Sequence, residues 1–253
     1  MIDLHSHLLP GVDDGSKSVK QSLQVLDAMR EAGVTAICLT PHHSVGRLAG
    51  GIPASHEAAF VALSAAAPKE IVLHRGVELM LDRPVPPDIR DLPGLTLGGS
   101  RHILVEFTSQ VAIPAAANAL HQIVQAGLIP VLAHPERYRA ASPQAVAQWK
   151  AVGALMQVDA NTLLTGRGRG QRARELLAYG LADIIAADNH GDSRLIGTGY
   201  RFLCEAGGPS QADLLARKNP AAILADEPIT PVPPLAIKTG LMDKLKQILG
   251  QEE

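Results

Sequence analysis

Short apolar runs rich in β-branched residues recur along the chain. Each is followed by a polar turn and usually by a stretch with helical spacing. Strands are predicted near 2–6 (IDLHS), 34–40 (VTAICLT), 71–77 (IVLHRGV), 102–107 (HILVEF), 128–133 (LIPVLA), 155–159 (LMQVD) and 183–187 (DIIAA). Helices are predicted near 16–32, 54–67, 114–126, 142–152 and 170–179. The first is well marked: Ser16 or Ser18 can cap it, Leu23, Leu26 and Met29 share a face, and Gly33 can end it. Strands alternating with helices imply α/β architecture with a parallel, barrel-like sheet of seven strands.

Between these elements, residues 82–100 form a Pro/Gly-rich excursion expected to be a surface loop. Residues 226–234 (DEPITPVPP) read as an extended linker, and 240–249 (GLMDKLKQIL) as a short amphipathic helix that either binds a partner or packs back. The expected division is a catalytic body over 1–225 followed by a tail over 226–253.

Composition sharpens this picture. Of 253 residues, 46% are hydrophobic and only 3% aromatic, so the core must come from Ala, Leu, Ile and Val, which suits buried parallel strands. A formal charge of −2 gives no global attraction to nucleic acid or to an anionic membrane. The opening residues lack a basic segment followed by an apolar one, and no run of about 18 apolar residues occurs. A cytoplasmic protein without membrane insertion is expected. Two cysteines, Cys38 and Cys204, make no disulfide framework.

The chemistry collects where strands end. His5-Ser6-His7 places two imidazoles on one face of the first strand. The second strand runs into His42, the third into Glu78, and the fourth ends with Glu106. The fifth leads to His134, and the seventh to Asp188 and His190. In β/α barrels the active site lies at these carboxyl ends. Chance would need a separate explanation for each polar ending on a buried strand. Imidazoles mixed with carboxylates and no thiolate suit Zn, Mn or Fe(II), and the candidates exceed what one ion can use, so two or three ions are expected. Such clusters suit displacement at phosphorus. Arg137 and Arg194, just beyond two of these ends, offer planar forks for phosphate.

Other polar residues have ordinary readings. Asp13-Asp14-Gly15-Ser16 is first a turn and helix cap, yet one aspartate, preferably Asp14, can reach an ion. His43, His56, His74, His102 and His121 are expected at the surface or in local hydrogen bonds, with His43 alone a candidate to support a ligand. Arg167, Arg169, Arg172 and Arg174 read as a solvated helix start, and Asn161 as polar lining.

The motifs MIDLHSHLLPGVDDG, TPHH, GVE, HILVEF, LAHPERY and ADNH stand in the order and approximate spacing of the polymerase-and-histidinol-phosphatase (PHP) superfamily. Over residues 1 to about 225 the chain resembles that superfamily's branch of bacterial capsule and exopolysaccharide tyrosine-protein phosphatases. The resemblance implies a distorted seven-stranded, TIM-like barrel with three metal ions. By position, one ion would take His5, His7, Glu78 and Asp188, a second Glu78, Glu106 and His134, and a third Asp14, His42 and His190. A bridging hydroxide would be the nucleophile; Arg137 matches a phosphate-contacting arginine, and Arg194 a second one. Manganese is the first expectation, with iron, zinc or cobalt as alternatives. The implied substrate is phosphotyrosine on the tail of a membrane-associated autokinase that controls polysaccharide export. A homo-oligomer is compatible with it.

Three alternatives frame this reading. A small phosphomonoester such as histidinol phosphate would need the same metals. A non-catalytic regulator would act through the 240–249 helix. A cysteine phosphatase would need arginine six residues after the cysteine, but those positions are Ser44 and Ser210.

Overall fold

The structure, a computed structural model, describes residues 1–166 and 168–237. The expected helix over 240–249 and the expectation for Arg167 therefore lie outside the described residues. Among the described residues, nine strands are all paired in parallel, in two sheets. The first joins β1 (Ile2–Asp3), β2 (Ala36–Leu39) and β4 (Val72–Arg75), in the order β1-β2-β4. The second runs β3-β5-β6-β7-β8-β9 through His42–Ser44, Glu78–Met80, His102–Glu106, Ile129–Ala133, Leu155–Asp159 and Ile184–Ala186.

Seven strands were expected and nine are present because two of them break. The expected second and third strands each kink at a short Thr40-Pro41 or Gly76-Val77 step. His42 and Glu78 therefore open new strands in the other sheet instead of ending old ones. Proline lacks the amide that a ladder needs, so a break beside Pro41 is the expected cost. The amide of Glu78 donates to Pro41 O at 3.1 Å, which keeps the halves in register. Near β1, Thr40 N donates to Ser6 O (2.8 Å), His7 N to Asn189 O (2.8 Å) and Asp188 N to His5 O (3.1 Å). A single parallel bridge, Ser6 to Asn189, connects the first strand to the last. Among the described residues the paired strands do not form one closed ladder.

The five expected helices occur within three residues at each end as α1 (Val19–Glu31), α2 (Ala54–Ala66), α3 (Ile113–Gln125), α4 (Pro143–Ala151) and α5 (Arg169–Ala178). Ser18 is the cap of α1, its side chain accepting from Gln21 N, and Gly33 ends that region at φ 85°. Three helices were not expected: α6 (Ile196–Glu205), α7 (Pro209–Asp213) and α8 (Asn219–Leu224).

Burial explains where the polar cluster sits. Leu4, Cys38, Leu104, Val131 and Ile184 form an inner core together with Leu97 and Ile223 of α8. Glu106 lies two residues beyond Leu104 and therefore on the same face of β6. Residues 82–100 are not a simple surface loop. Ile89, Leu95 and Leu97 are buried, and apolar side chains inserted into the body override the Pro/Gly signal. The 226–234 segment is extended as expected, but it is strapped down. Asn219 exchanges hydrogen bonds with the backbone of Thr230 at 2.9 and 3.0 Å, and Leu235 N donates to Leu177 O at 2.9 Å. No helix of the described residues is long and apolar enough to cross a membrane.

Candidate metal centre

All nine candidate ligands meet: His5, His7, Glu106, His134, Asp188 and His190 at or just past strand ends, His42 and Glu78 at the first residues of β3 and β5, and Asp14 in the turn after β1. Their donor atoms form overlapping groups: His5, His7 and Asp188; His5, Glu78 and His134; His42, Glu78 and Glu106; and His7, Asp14, His42 and His190. Within each group these atoms lie within 4.8 Å of one another. Glu78, almost fully buried, is the hub. Its Oε2 lies 3.3 Å from His5 Nε2, 3.3 Å from His7 Nε2 and 3.1 Å from His42 Nδ1, and its Oε1 accepts from His134 Nε2 at 2.9 Å.

The imidazole tautomers show what this gathering is for. His5 Nδ1 faces Gln157 Oε1 at 2.9 Å, and His7 Nδ1 faces Asp13 Oδ2 at 2.8 Å. Both partners are acceptors, so each Nδ1 carries the hydrogen and each Nε2 presents a bare lone pair in the neutral ring. Yet the two Nε2 atoms stand only 3.1 Å apart, beside Asp188 Oδ1 at 3.2 and 3.3 Å. Two lone pairs and two carboxylates facing one another repel unless a cation lies between them. Glu78 Oε2 and Asp188 Oδ1 are, moreover, buried without any hydrogen-bond partner. Hard oxygen donors and borderline nitrogen donors, orphaned and convergent, fit divalent transition-metal ions.

Proton affinities report the same demand for positive charge. Burial works against ionising Glu78, yet the surrounding His5, His134 and His42 hold it well below the usual carboxylate range. Burial opposes charge on Asp188 too, and His5, His7 and Arg137 overcome it, leaving the group strongly acidic. His42 moves the other way: burial disfavours its cation, but the carboxylates of Glu106 and Glu78 raise it to about 10. Protons here take the place that metal cations fill more effectively.

Local sequence explains how the ligands are aimed. His134 (φ 34°) and Asp188 (φ 48°) both adopt left-handed backbone, a costly conformation for such residues that turns each side chain off its strand end. Gly15 admits the Asp13-Asp14 turn against the first strand. A Cβ there would stand 2.0 Å from His7 O, so no other residue fits. The two aspartates of that turn divide the work. Asp13 accepts from His7 Nδ1, from His42 N at 3.1 Å and from Gly15 N at 2.9 Å. Asp14 is exposed, and its Oδ1 faces His42 Nε2 at 3.4 Å and His190 Nε2 at 3.5 Å. His190 Nδ1 donates to Asp188 O at 3.0 Å, which frees its Nε2 for the same group.

Both arginines reach the cluster. Arg137 pairs with Asp159 Oδ2 at 2.8 Å and with Asp188. Arg194 is held by Asp192 at 2.7 Å and stands 3.7 Å from Asp188 Oδ2. Sequence reasoning missed three supports: Asp13 as the holder of His7, Gln157 and Asp159. Gln157 and Asp159 sit two residues apart on β8, so the period of two could have flagged them.

Other expectations need correction. His43 and His56 are buried, not at the surface, while His102, also buried, meets the expectation of a local hydrogen bond. His102 makes a local contact with Ser100, whereas His43 Nε2 and His56 Nδ1 lack partners. Arg172 and Arg174 are not merely solvated: Arg172 donates to Glu136 O and Arg174 to Leu163 O and Thr165 O, tying α5 to the strand ends. Asn161 contacts Ala187 O at 3.4 Å. A cavity of about 400 Å³ behind Leu9, Leu39 and Phe60 is mostly apolar and contains none of the nine candidate ligands.

A parallel α/β scaffold that gathers imidazoles and carboxylates at its strand ends defines a class of metal-binding proteins. Within that class the chain belongs to the CpsB/CapC family of capsular polysaccharide synthesis, whose sequence pattern matches residues 1–225. It is 30% identical over 201 residues to the putative tyrosine-protein phosphatase CapC of Staphylococcus aureus, covering 75% of this chain and 77% of that protein. It is 29% identical over 248 residues to the tyrosine-protein phosphatase CpsB of Streptococcus pneumoniae, covering 90% and 99%. A crystal structure from work on YwqE of Bacillus subtilis and CpsB of Streptococcus pneumoniae, described as metal-dependent tyrosine phosphatases, matches with a TM-score of 0.79 at 27% identity. That match spans 94% of this chain and 100% of the other. A dihydropyrimidinase from Brevibacillus agri, at 11% identity and a TM-score of 0.54, shares the fold alone.

Proposed function

We propose that this protein is a metal-dependent protein-tyrosine phosphatase that hydrolyses phosphotyrosine on a protein, the tail of a membrane-associated autokinase in polysaccharide export being the expected target. The observation that carries the reading is the convergence of bare imidazole nitrogens and orphaned carboxylate oxygens, in a chain whose relatives bear that activity in their names. His5, His7, Glu78 and Asp188 would hold one ion, Glu78, Glu106 and His134 a second, and Asp14, His42 and His190 a third. Charge favours three: four carboxylates cancel two divalent ions, and a third leaves a net positive site for a phosphate dianion. Manganese is the preferred ion, with iron, zinc or cobalt as alternatives. When bound, such ions supply Lewis-acid charge that eases water ionisation and neutralises phosphoryl oxygens.

The chain's own residues perform the remaining tasks. Arg137 and Arg194 flank Asp188 and offer guanidinium donors to phosphate oxygens. Tyrosine leaves as a phenolate, whose reference pKa of about 10 makes general-acid help less necessary than for an alkoxide. The exposed Asp14 and the 37% exposed side chain of His42 leave an open rim, which suits a protein tail better than an enclosed metabolite. We further infer that the kinked strands enclose a distorted seven-stranded, TIM-like barrel over 1–225, that the tail from 226 is an appendage, and that the protein acts in the cytoplasm, with self-association compatible.

Purified protein with Mn(II) is expected to release phosphate from a tyrosine phosphopeptide. Chelator, or His134→Ala, should abolish the release. Equal activity after both treatments overturns the proposal.

A further inference from the structure

The cluster has guanidinium groups in two places around it, and only those in one place are neutralised. Arg137 and Arg194 stand beside Asp188, each held by a carboxylate. Elsewhere around the cluster, His42 and Glu106 form part of the wall of a cavity of about 470 Å³, completed by His43, Ser44, Arg47, Met80 and Asp82. The same two side chains thus belong both to the candidate metal centre and to this groove. A group held at the centre has the groove as its immediate neighbour.

Arg47 is exposed and, among the described residues, has no carboxylate within the 4.0 Å that defines an ion pair. Its backbone is nevertheless fixed. It lies in the helical turn Val45–Gly50 that follows β3, where Val45 and Leu48 are buried. Gly46 N donates to Asp82 Oδ1 at 3.0 Å. A Cβ on Gly46 would stand 2.9 Å from both Asp82 Oδ2 and Arg83 Nε, so the turn lies flush against the segment leaving β5. Asp82, the one acidic group of the groove outside the cluster, accepts from this turn and makes no ion pair with Arg47. The guanidinium is left as a free cation on a rigid base, over a floor that includes the thioether of Met80. Sulfur of this kind packs favourably against aromatic rings.

We propose that Arg47 determines peptide specificity by pairing with an anionic side chain that flanks the phosphotyrosine of a substrate laid along this groove. The proposal rests on the phosphatase reading. An extended peptide advances about 3.3 Å per residue, so an anion one or two positions from the phosphotyrosine comes within reach of an arginine side chain. A carboxylate and a second phosphate share the required chemistry.

The test uses full-length, Mn(II)-loaded protein and three peptides that differ only at the residue beside the phosphotyrosine: glutamate, glutamine or a second phosphotyrosine. Affinity is read by fluorescence anisotropy on versions with a non-hydrolysable phosphonate at the central position, and kcat/KM on the hydrolysable ones. Wild type should favour glutamate over glutamine by about fivefold, the size of an exposed ion pair, with the difference in KM. The second phosphate should gain more, because it accepts a bidentate fork. In Arg47→Ala these preferences should collapse toward one, whereas Arg47→Lys should keep part of them. A response confined to one anion identifies which source the groove reads. Undiminished preference in Arg47→Ala overturns the proposal, as does an equal loss on the glutamine peptide. If no peptide releases phosphate, the phosphatase reading fails by itself. The phosphonate affinities then still decide the role of Arg47.

Discussion

Asp13 and Asp14 are adjacent, chemically identical and assigned opposite tasks, so exchanging each for asparagine separates them. Asp13 sits with its side chain only 6% exposed and accepts three hydrogen bonds, from His7 Nδ1, His42 N and Gly15 N. Burial opposes its charge, and His7 and these backbone donors more than compensate, lowering it to about 2 from an ordinary 3.8. A depressed carboxyl contributes stability that is complete above 3.8 and is lost as pH falls toward 2. The difference corresponds to at most about 2 kcal/mol at neutral pH, because partial solvent access discounts it. Asp13→Asn removes the charge and turns an amide donor toward one of its three donors. Chelator-treated Asp13→Asn should therefore unfold in urea with about 1–2 kcal/mol less stability than wild type. Its Mn(II) affinity should fall about 10- to 100-fold, as when an outer carboxylate that orients a histidine is removed. Asp14 has no backbone partner of this kind and its side chain is 68% exposed. Asp14→Asn should leave the metal-free protein within about 0.5 kcal/mol of wild type but lower the number of ions bound in calorimetric titration. The opposite pattern, with Asp14→Asn binding metal normally and Asp13→Asn missing an ion, refutes the division of labour.

Two further outcomes follow from buried groups. Gln157 Oε1 accepts from His5 Nδ1, and both side chains are fully buried, so Gln157→Leu strands that hydrogen without a partner. A loss of about 1–3 kcal/mol in urea unfolding, together with weakened Mn(II) binding, is expected, and unchanged values for both would contradict the tautomer argument. His102 is held neutral, at about 4 against an ordinary 6.5, chiefly by burial, with Arg101 reinforcing and Asp226 opposing. Its depressed value means that stability is complete above 6.5 and declines as pH drops toward 4. Between pH 7 and pH 5, wild type should lose about 2 kcal/mol more than His102→Gln, because the unfolded chain gains a proton that the folded chain refuses. Parallel losses in the two proteins would show that this histidine is not the responsible group.

Legibility followed physical scale. Ligand identity was readable because an apolar strand that ends in histidine or carboxylate violates the pattern of its own neighbourhood, and His5, His7, Glu106, His134, Asp188 and His190 all do so. The breaks at Pro41 and Gly76 were harder. The ordinary alternative, a continuous strand, differs from a kinked one only in where two amides donate, which hydrophobic periodicity does not encode. Helices α6 to α8 were missed for a related reason: their apolar positions are spread among glycines and prolines such as Gly199, Pro209 and Pro220, and tertiary burial, not propensity, holds them. The supports Asp13, Gln157 and Asp159 were the least visible. Each is an unremarkable polar residue in a plausible turn or strand, and it acquires meaning only when a histidine or arginine from a distant segment arrives beside it. Metal-ligand types therefore announce themselves in a chain, whereas the groups that aim them do not. The tautomers of His5 and His7 are fixed by Gln157 and Asp13, so the cation demand of this centre resides as much in those two acceptors as in the imidazoles. A sequence that kept all nine candidate ligands but lost both acceptors would present the same motifs, yet the two Nε2 atoms would no longer be compelled to face one another as lone pairs.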